Sequence, residues 1–351
     1  MPRSTKALNI SALNIASLLL ITVMLGWLLI IGRNLLIPLI LALVIWYLLD
    51  TIARFLQSPP IGNFSIPHPI ALGGAFLVMI AMIILVINMV AQNVAELSTH
   101  TQEYQENIQT KLQGLITTIS PNSEFRLDKL SDLLNLQKLV GWTTSVIGSV
   151  TGTLMLVMIY LMFLFAEQTV FEQKFNALFK DPQKLARAQH IRTEVMQKIR
   201  IYLSVKTFVS VLTGVLSFLL LTVIGVDYAA FWGFIIFLLN YIPTIGSMLG
   251  VVFPAVLALV QFDTSWQFFA VVVFLGSLQF AIGNIVEPRL MGSSLNLSGL
   301  VIMLALAIWG AIWGITGMIL SVPITVVMLI ICAQFPASRP VAVLLSSDGK
   351  V

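Results

Sequence analysis

Residues 228–262 read YAAFWGFIIFLLNYIPTIGSMLGVVFPAVLALVQF, without a single Asp, Glu, Lys or Arg. A helix crossing a bilayer core needs about 20 mostly apolar residues. Two crossings and a turn would need more chain than this stretch offers. Its middle, Asn240-Tyr241-Ile242-Pro243-Thr244-Ile245-Gly246-Ser247, gathers the Pro and Gly that interrupt a helix. Each arm holds roughly 12 to 16 residues, too few to cross comfortably. The spacing predicts a re-entrant hairpin of two half-helices with both ends on one face.

Downstream the pattern recurs. Residues 265–286 form an uncharged run of full crossing length that ends in Glu287-Pro288-Arg289-Leu290-Met291-Gly292. Residues 297–335 are again uncharged and are broken at Trp309-Gly310-Ala311-Ile312-Trp313-Gly314-Ile315-Thr316-Gly317, with Pro323 in the second arm. One span between two hairpins places them on opposite faces, as an inverted-topology repeat. Paired Gly/Pro-interrupted segments point to a transporter's solute site. Backbone freed from helical bonding is tolerated at membrane depth only where protein or a wet cavity satisfies it. The competing reading is two kinked hairpins of short tilted helices that pack structurally.

The rest of the chain supports a membrane location. Of its 351 residues 58% are hydrophobic and 10% charged, against about a quarter charged in a soluble domain. Further spans are expected over residues 10–31, 35–56, 67–94, 142–165 and 207–226. Arg3 and Lys6 precede the first, which is longer than a signal-peptide core and has no small-x-small cleavage site, so it reads as a retained span. Eight Lys or Arg lie between Glu167 and Lys206, which makes that segment cytoplasmic by the positive-inside rule. Both termini are then cytoplasmic, and residues 99–138 lie outside. In that outer segment Leu127, Leu130, Leu133 and Leu134 share a helix face, expected to pack on its own protein, with a partner-binding surface as the alternative.

The expectation is an all-α polytopic membrane protein with about six full transmembrane helices and two broken, re-entrant hairpins in the C-terminal half. Residues 1–98 carry the first spans, 99–140 an extracytoplasmic helical segment, and 141–203 a span with a basic cytoplasmic helical loop. Residues 204–336 form a transport core and 337–351 a cytoplasmic tail.

Few ionisable groups are placed to do chemistry. Glu287 and Arg289 flank Pro288 at the cytoplasmic end of a span, where they can pair and hold a hairpin, or the carboxylate can exchange protons. Asp227 and Asp263 bracket the first hairpin as caps, and Lys206 is expected to snorkel. Asn240, Gln279 and Asn284 lie inside apolar runs, where an amide needs a partner. Asn284 and Glu287, three apart, share a helix face. Helix–helix bonding and solute binding account for such amides equally well. Cys332 reads as an apolar packing residue. His68, His100 and His190 are isolated, so no metal site is expected, and no cofactor. No phosphate-binding Gly-rich loop, H-E-x-x-H or G-x-S-x-G occurs, so no enzymatic role is expected. The net charge of +4 sits in membrane-flanking segments and implies no nucleic acid.

Three stretches carry a resemblance: Ile242-Pro243-Thr244-Ile245-Gly246, Glu287-Pro288-Arg289-Leu290-Met291-Gly292, and Gly314-Ile315-Thr316-Gly317-Met318-Ile319-Leu320-Ser321-Val322-Pro323. They resemble the signatures of the AI-2E (autoinducer-2 exporter-like, PerM-type) family of bacterial membrane proteins, in order and hydropathy along nearly the whole chain. The family often has an aromatic where Thr244 stands and a Pro where Ser247 stands. The resemblance implies an inner-membrane transport protein and a homo-oligomer, a pentamer. Its name-giving activity is export of autoinducer-2, and some members are described as sodium or lithium ion/proton antiporters.

The reading is a secondary exporter of a small polar solute, working by alternating access with the two hairpins meeting near the midplane around the solute. Its candidate binding or coupling residues are Asn240, Pro243, Gly246, Gln279, Asn284, Glu287, Pro288, Arg289, Gly314, Gly317 and Pro323. A cation/proton antiporter and a non-transporting scaffold or regulator are the alternatives.

Overall fold

The computed structural model describes residues 12–57, 67–99, 136–292 and 295–350. All named elements among them are helices. Helix α1 (Ala12–Ile31) turns at Gly32 into α2 (Arg33–Gln57). Helices α3 (His68–Thr99) and α4 (Leu136–Ala177) pack on α2 around small buried residues, Ala42, Ala53, Ala71 and Ala75. Helix α4 bends by 67° between its two parts, Gly152–Gln168 and Val170–Ala177. The outer leucines Leu127, Leu130, Leu133 and Leu134 lie outside the described residues.

Helix α5 (Pro182–Ile224) runs for 43 residues, about 64 Å at 1.5 Å per residue, twice the depth of a bilayer core. The basic segment and the fifth span are therefore largely one rod, where the sequence suggested a loop followed by a span. Its start is fixed by Asp181, whose carboxylate accepts from the Gln183 amide at 2.9 Å, with Pro182 in the first turn. Its end is fixed by Gly225 at φ 86°, whose amide returns to the Leu221 carbonyl.

Both broken segments are hairpins. Helices α6 (Ala229–Leu239) and α7 (Ile245–Gln261) are joined by a tip in which Thr244 has φ 61°. Their feet are tied together, since Gln261 donates to the Gly225 carbonyl and accepts from the Asp227 amide, each at 2.8 Å. Helix α8 (Trp266–Met291) follows as one crossing rod with π-turns at Val271–Leu275 and Ile282–Val286. Helix α9 (Gly299–Gln334) then folds back at Gly314, which has φ 62° and ψ −141°. In a straight helix Trp309 and Gly317 would stand about 12 Å apart. Here a Cβ on Gly317 would fall 1.9 Å from the Trp309 carbonyl oxygen. The first foot of this hairpin is held against the following helix, α10 (Arg339–Leu345), where Ser298 N–H donates to the Leu345 carbonyl at 3.1 Å.

Glycine makes both fold-backs possible in the same way. A Cβ on Gly246 would lie 1.8 Å from the Leu239 carbonyl oxygen, the counterpart of the contact at Gly317. The two hairpins approach α5 from different ends. The first has its feet at Gly225, just past the C-terminal end of α5, whereas Arg187 near the N-terminal end donates to the Gln334 carbonyl at a foot of the second.

Five described helices are long and apolar enough to cross a membrane, and the bent α4 makes six. That tally includes α9, which folds back, while α1 has 20 residues and also suffices. Apolar side chains cover the outside: only 12% of the Ile70–Asn93 window is buried. Lipid accounts for such a surface, water does not.

Candidate functional site

Helix α5 buries a polar stripe. Tyr202, Lys206, Ser210, Thr213 and Ser217 recur every three or four residues and therefore share one face, and all five are buried. The first hairpin settles onto this face because two glycines let the backbones meet. A Cβ on Gly214 would lie 2.8 Å from the Gly233 carbonyl oxygen, and one on Gly233 would lie 2.9 Å from that of Gly214. The tip is thereby brought against the stripe. Asn240 Nδ2 donates to Ser210 Oγ at 3.0 Å, and the Thr207 and Tyr241 hydroxyls bond at 2.8 Å.

One turn along, Lys206 Nζ donates to Glu287 Oε1 at 2.5 Å, with side chains only 4% and 19% exposed. Lys206 does not snorkel: it crosses to α8. Glu287 is not paired with Arg289, which stands two positions on, on the other side of the helix, and is exposed. Asn284 does not join Glu287 either. It is exposed and donates to the Phe280 carbonyl of its own helix at 3.1 Å. Asn284 lies within the π-turn at Ile282–Val286, which changes its angular offset from Glu287 relative to a regular helix. Pro288 begins the last turn of α8 and is exposed.

Three buried polar atoms in this region have no hydrogen-bond partner: Tyr202 Oη, Gln279 Nε2 and Ser217 Oγ. A buried donor without an acceptor costs about 1–3 kcal/mol. Gln279 is admitted by Gly250, where a Cβ would lie 2.9 Å from Nε2. Tyr202 packs with Val322 and Val326 of α9. The cluster is thus bordered by both hairpins, and its one buried ion pair is internally neutral. It offers donors and acceptors to a polar, uncharged molecule.

Lys206 lies 18 residues before the end of α5 at Ile224, about 27 Å along the helix, so the ion pair is near the basic end of the crossing, and the polar stripe runs from there to Ser217. The meeting point differs from the sequence expectation. The hairpins both lean on α5 and make no extended contact with each other among the described residues. Pro243 lines the tip of the first. Gly314 forms the exposed tip of the second, where neighbouring Trp313 donates to the Leu29 carbonyl of α1 at 3.0 Å. Gly317 and Pro323 are buried in its second arm.

The signature stretches therefore coincide with the two fold-backs and the end of α8. The family profile described as AI-2E family transporter matches residues 18–337. The chain belongs to the AI-2E family. It is 28% identical over 341 residues to the AI-2 transport protein TqsA of Escherichia coli (strain K12), covering 94% of this chain and 96% of that one. It is 29% identical over 286 residues to YhhT of the same strain, covering 80% of each chain. With PerM of that strain it shares 25% identity over 64% of this chain and 62% of the relative.

For this AI-2E family transporter, sequence reasoning had singled out Asn240, Gln279 and Glu287 but missed Lys206, Ser210, Thr207 and Tyr202. The available signal was the four-residue recurrence of polar groups through an otherwise apolar span.

Proposed function

We propose that the chain is a secondary exporter of a small, uncharged, polar solute in a bacterial inner membrane, with N- and C-termini cytoplasmic. Autoinducer-2 is the first solute to test, because the relative covered nearly end to end is named for AI-2 transport. The observation that carries the polar, uncharged solute class is the buried Lys206–Glu287 pair at 2.5 Å, with unpartnered Tyr202 Oη one turn before Lys206 on α5 and unpartnered Gln279 Nε2 two turns before Glu287 on α8. A site whose charges already cancel gains little by taking in an ion, whereas unpaired hydroxyl and amide groups gain about 1–3 kcal/mol each from a hydroxyl-bearing guest.

In this reading the hairpins are an inverted pair that insert from opposite faces, and alternating access is a movement of their tips against α5. Asn240, Tyr241 and Gln279 bind solute, Gly246 and Gly317 permit the fold-backs, and Lys206–Glu287 ties α5 to α8 through the cycle. Reconstitution into proteoliposomes tests this. Efflux of autoinducer-2 or a small polyol above that of empty vesicles is expected, and its absence with every neutral solute overturns the reading.

A sodium or lithium/proton antiporter would use Glu287 as an exchanging carboxylate. Cation-dependent proton movement that disappears in Glu287→Gln, with no neutral-solute flux, would favour it. A scaffold role would survive substitution at Pro243 and fail on deletion of residues 99–138.

A further inference from the structure

The chain beyond α10 is clasped to the segment that leads into the second hairpin. Leu297 and Ser346 form an isolated antiparallel bridge. Ser298 N–H donates to the Leu345 carbonyl at 3.1 Å, and Ser347 N–H to the Asn296 carbonyl at 3.2 Å. Asn296 has φ 46°, a conformation that Asn tolerates better than most side chains. Its amide holds the tail at two points. Oδ1 accepts from the Ser347 hydroxyl at 2.5 Å, and Nδ2 donates to the Lys350 carbonyl at 2.9 Å. The turn between those partners is fixed by Ser346, whose hydroxyl accepts from the Gly349 amide at 2.9 Å.

This strap completes an apolar layer. Tyr202 belongs to a buried cluster with Leu203, Val326 and Leu329, and Leu297 and Leu345 pack against that cluster from the two clasped segments. On α5 the layer continues through Ile199, Val195 and Ile191. Those positions lie between Lys206 and the start of α5 at Pro182, so the layer stands between the polar cluster and the basic end of the rod. A solute that enters from that end has to pass it. The strap is the part most easily moved. The bonds of the Asn296 amide are exposed, and in α10, seven residues long, Ala342 alone is buried. Exposed hydrogen bonds and few buried apolar groups mark a segment that opens locally while the rest stays folded.

We propose that α10 and residues 346–350 are a releasable gate over the basic-end entrance to the polar cluster, with Asn296 as its clasp. Closed, Leu297 and Leu345 complete the apolar layer. Released, the strap withdraws Leu345 and lets a polar solute reach Tyr202 and Lys206. The inference rests on the reading of that cluster as the solute site, and it holds for whichever solute is carried.

The test uses the full chain with Cys332→Ala and one reporter cysteine, labelled in inside-out vesicles by a charged methanethiosulfonate. Val326→Cys reports on the layer under the strap, and Val271→Cys, in the cluster beside the first hairpin, is the control; the two valines are 2% and 0% exposed. Asn296→Gly removes the clasp and keeps the positive φ without steric cost. It should speed labelling of Val326→Cys severalfold, and Ser347→Ala should do so by less, with Val271→Cys protected in both. If Asn296→Gly fails to fold, Ser347→Ala carries the same reading. An unchanged rate at Val326→Cys overturns the proposal. So does an equal rise at Val271→Cys, which reports loosening of the whole fold. In proteoliposomes, a disulfide between Asn296→Cys and Ser347→Cys should stop efflux, and reduction should restore it. Efflux untouched by that disulfide overturns the gate. Absence of efflux from the parent chain counts against the exporter reading alone, and the labelling, which needs no solute, still decides the gate.

Discussion

Lys206 Nζ and Glu287 Oε1 meet at 2.5 Å across the gap between α5 and α8. The two residues are 81 positions apart in the chain, and each stands at the end of an apolar run. A buried ammonium or carboxylate left alone is costly, whereas a hydrogen-bonded pair is tolerated. The pair therefore fixes the register of two crossing helices at the depth where the first hairpin ends.

Breaking that pair should be worse than deleting it. Lys206→Met leaves Glu287 without its partner and is expected to destabilise by about 3–5 kcal/mol. The double variant Lys206→Met with Glu287→Leu should regain most of that stability, because apolar replacements of a buried pair are often neutral or favourable. Transport should be lost in both. Thermal unfolding of the purified protein beside proteoliposome flux checks this, and a double variant no more stable than the single one argues against a buried pair.

The fold-backs make a sharper demand. Gly246→Ala and Gly317→Ala each drive a Cβ to within 2 Å of a backbone carbonyl oxygen, so each should cost about 3 kcal/mol or more, beyond ordinary overpacking. Gly276→Ala is the control, since nothing lies within 4 Å of a Cβ there. It should be neutral or stabilising by up to about 1 kcal/mol. At the first tip, Thr244 is held at φ 61°, an outlier for a β-branched residue that stores about 1–3 kcal/mol. Thr244→Gly should therefore raise the unfolding temperature, and a lowered temperature would contradict the strain.

How far these features were legible in the sequence depends on what sets them. Arm length and a Gly/Pro cluster are local, so the hairpins at Asn240–Gly246 and Trp309–Gly317 could be read directly. Lys206 could not, because it sits where the basic segment meets an apolar run and looks like any snorkelling lysine. Only its register with Ser210, Thr213 and Ser217 marks the buried face. Asn284 misled for the opposite reason. Three-residue spacing to Glu287 means one face only in a regular helix, and Asn284 lies within the π-turn at Ile282–Val286. Nothing in composition announces that turn. The pairing of Glu287 with a helix 81 positions away, and not with Arg289, is a tertiary fact.

Gln279 separates binding from packing. Its Nε2 is buried and unpartnered, so Gln279→Met removes an unsatisfied donor of similar shape. The variant should be more stable by about 1–3 kcal/mol yet slower in transport, a trade expected where a site is kept polar for a guest. Ser210→Ala should behave differently, since it takes the acceptor from Asn240 and is expected to lose stability by a similar amount. Unfolding temperatures and initial efflux rates of the two variants, measured together, distinguish a solute ligand from a structural amide. If Gln279→Met loses stability, the amide is structural.

The opposed hairpins can be tested from their feet. Asp263 is exposed just after the first hairpin, and Ser347 is exposed and bonds Asn296 beside the feet of the second. Arg187 ties those second feet to the basic end of α5, while Gly225 ties the first to the far end. The 38 residues between Arg187 and Gly225 span about 57 Å, more than a bilayer core. With Cys332→Ala as background, Asp263→Cys should react with a membrane-impermeant maleimide in intact cells. Ser347→Cys should react only after permeabilisation, because the basic half of α5 belongs on the cytoplasmic side. Labelling of both from one face would mean that the hairpins insert from the same side. An inverted pair, and with it an alternating movement about α5, would then be excluded.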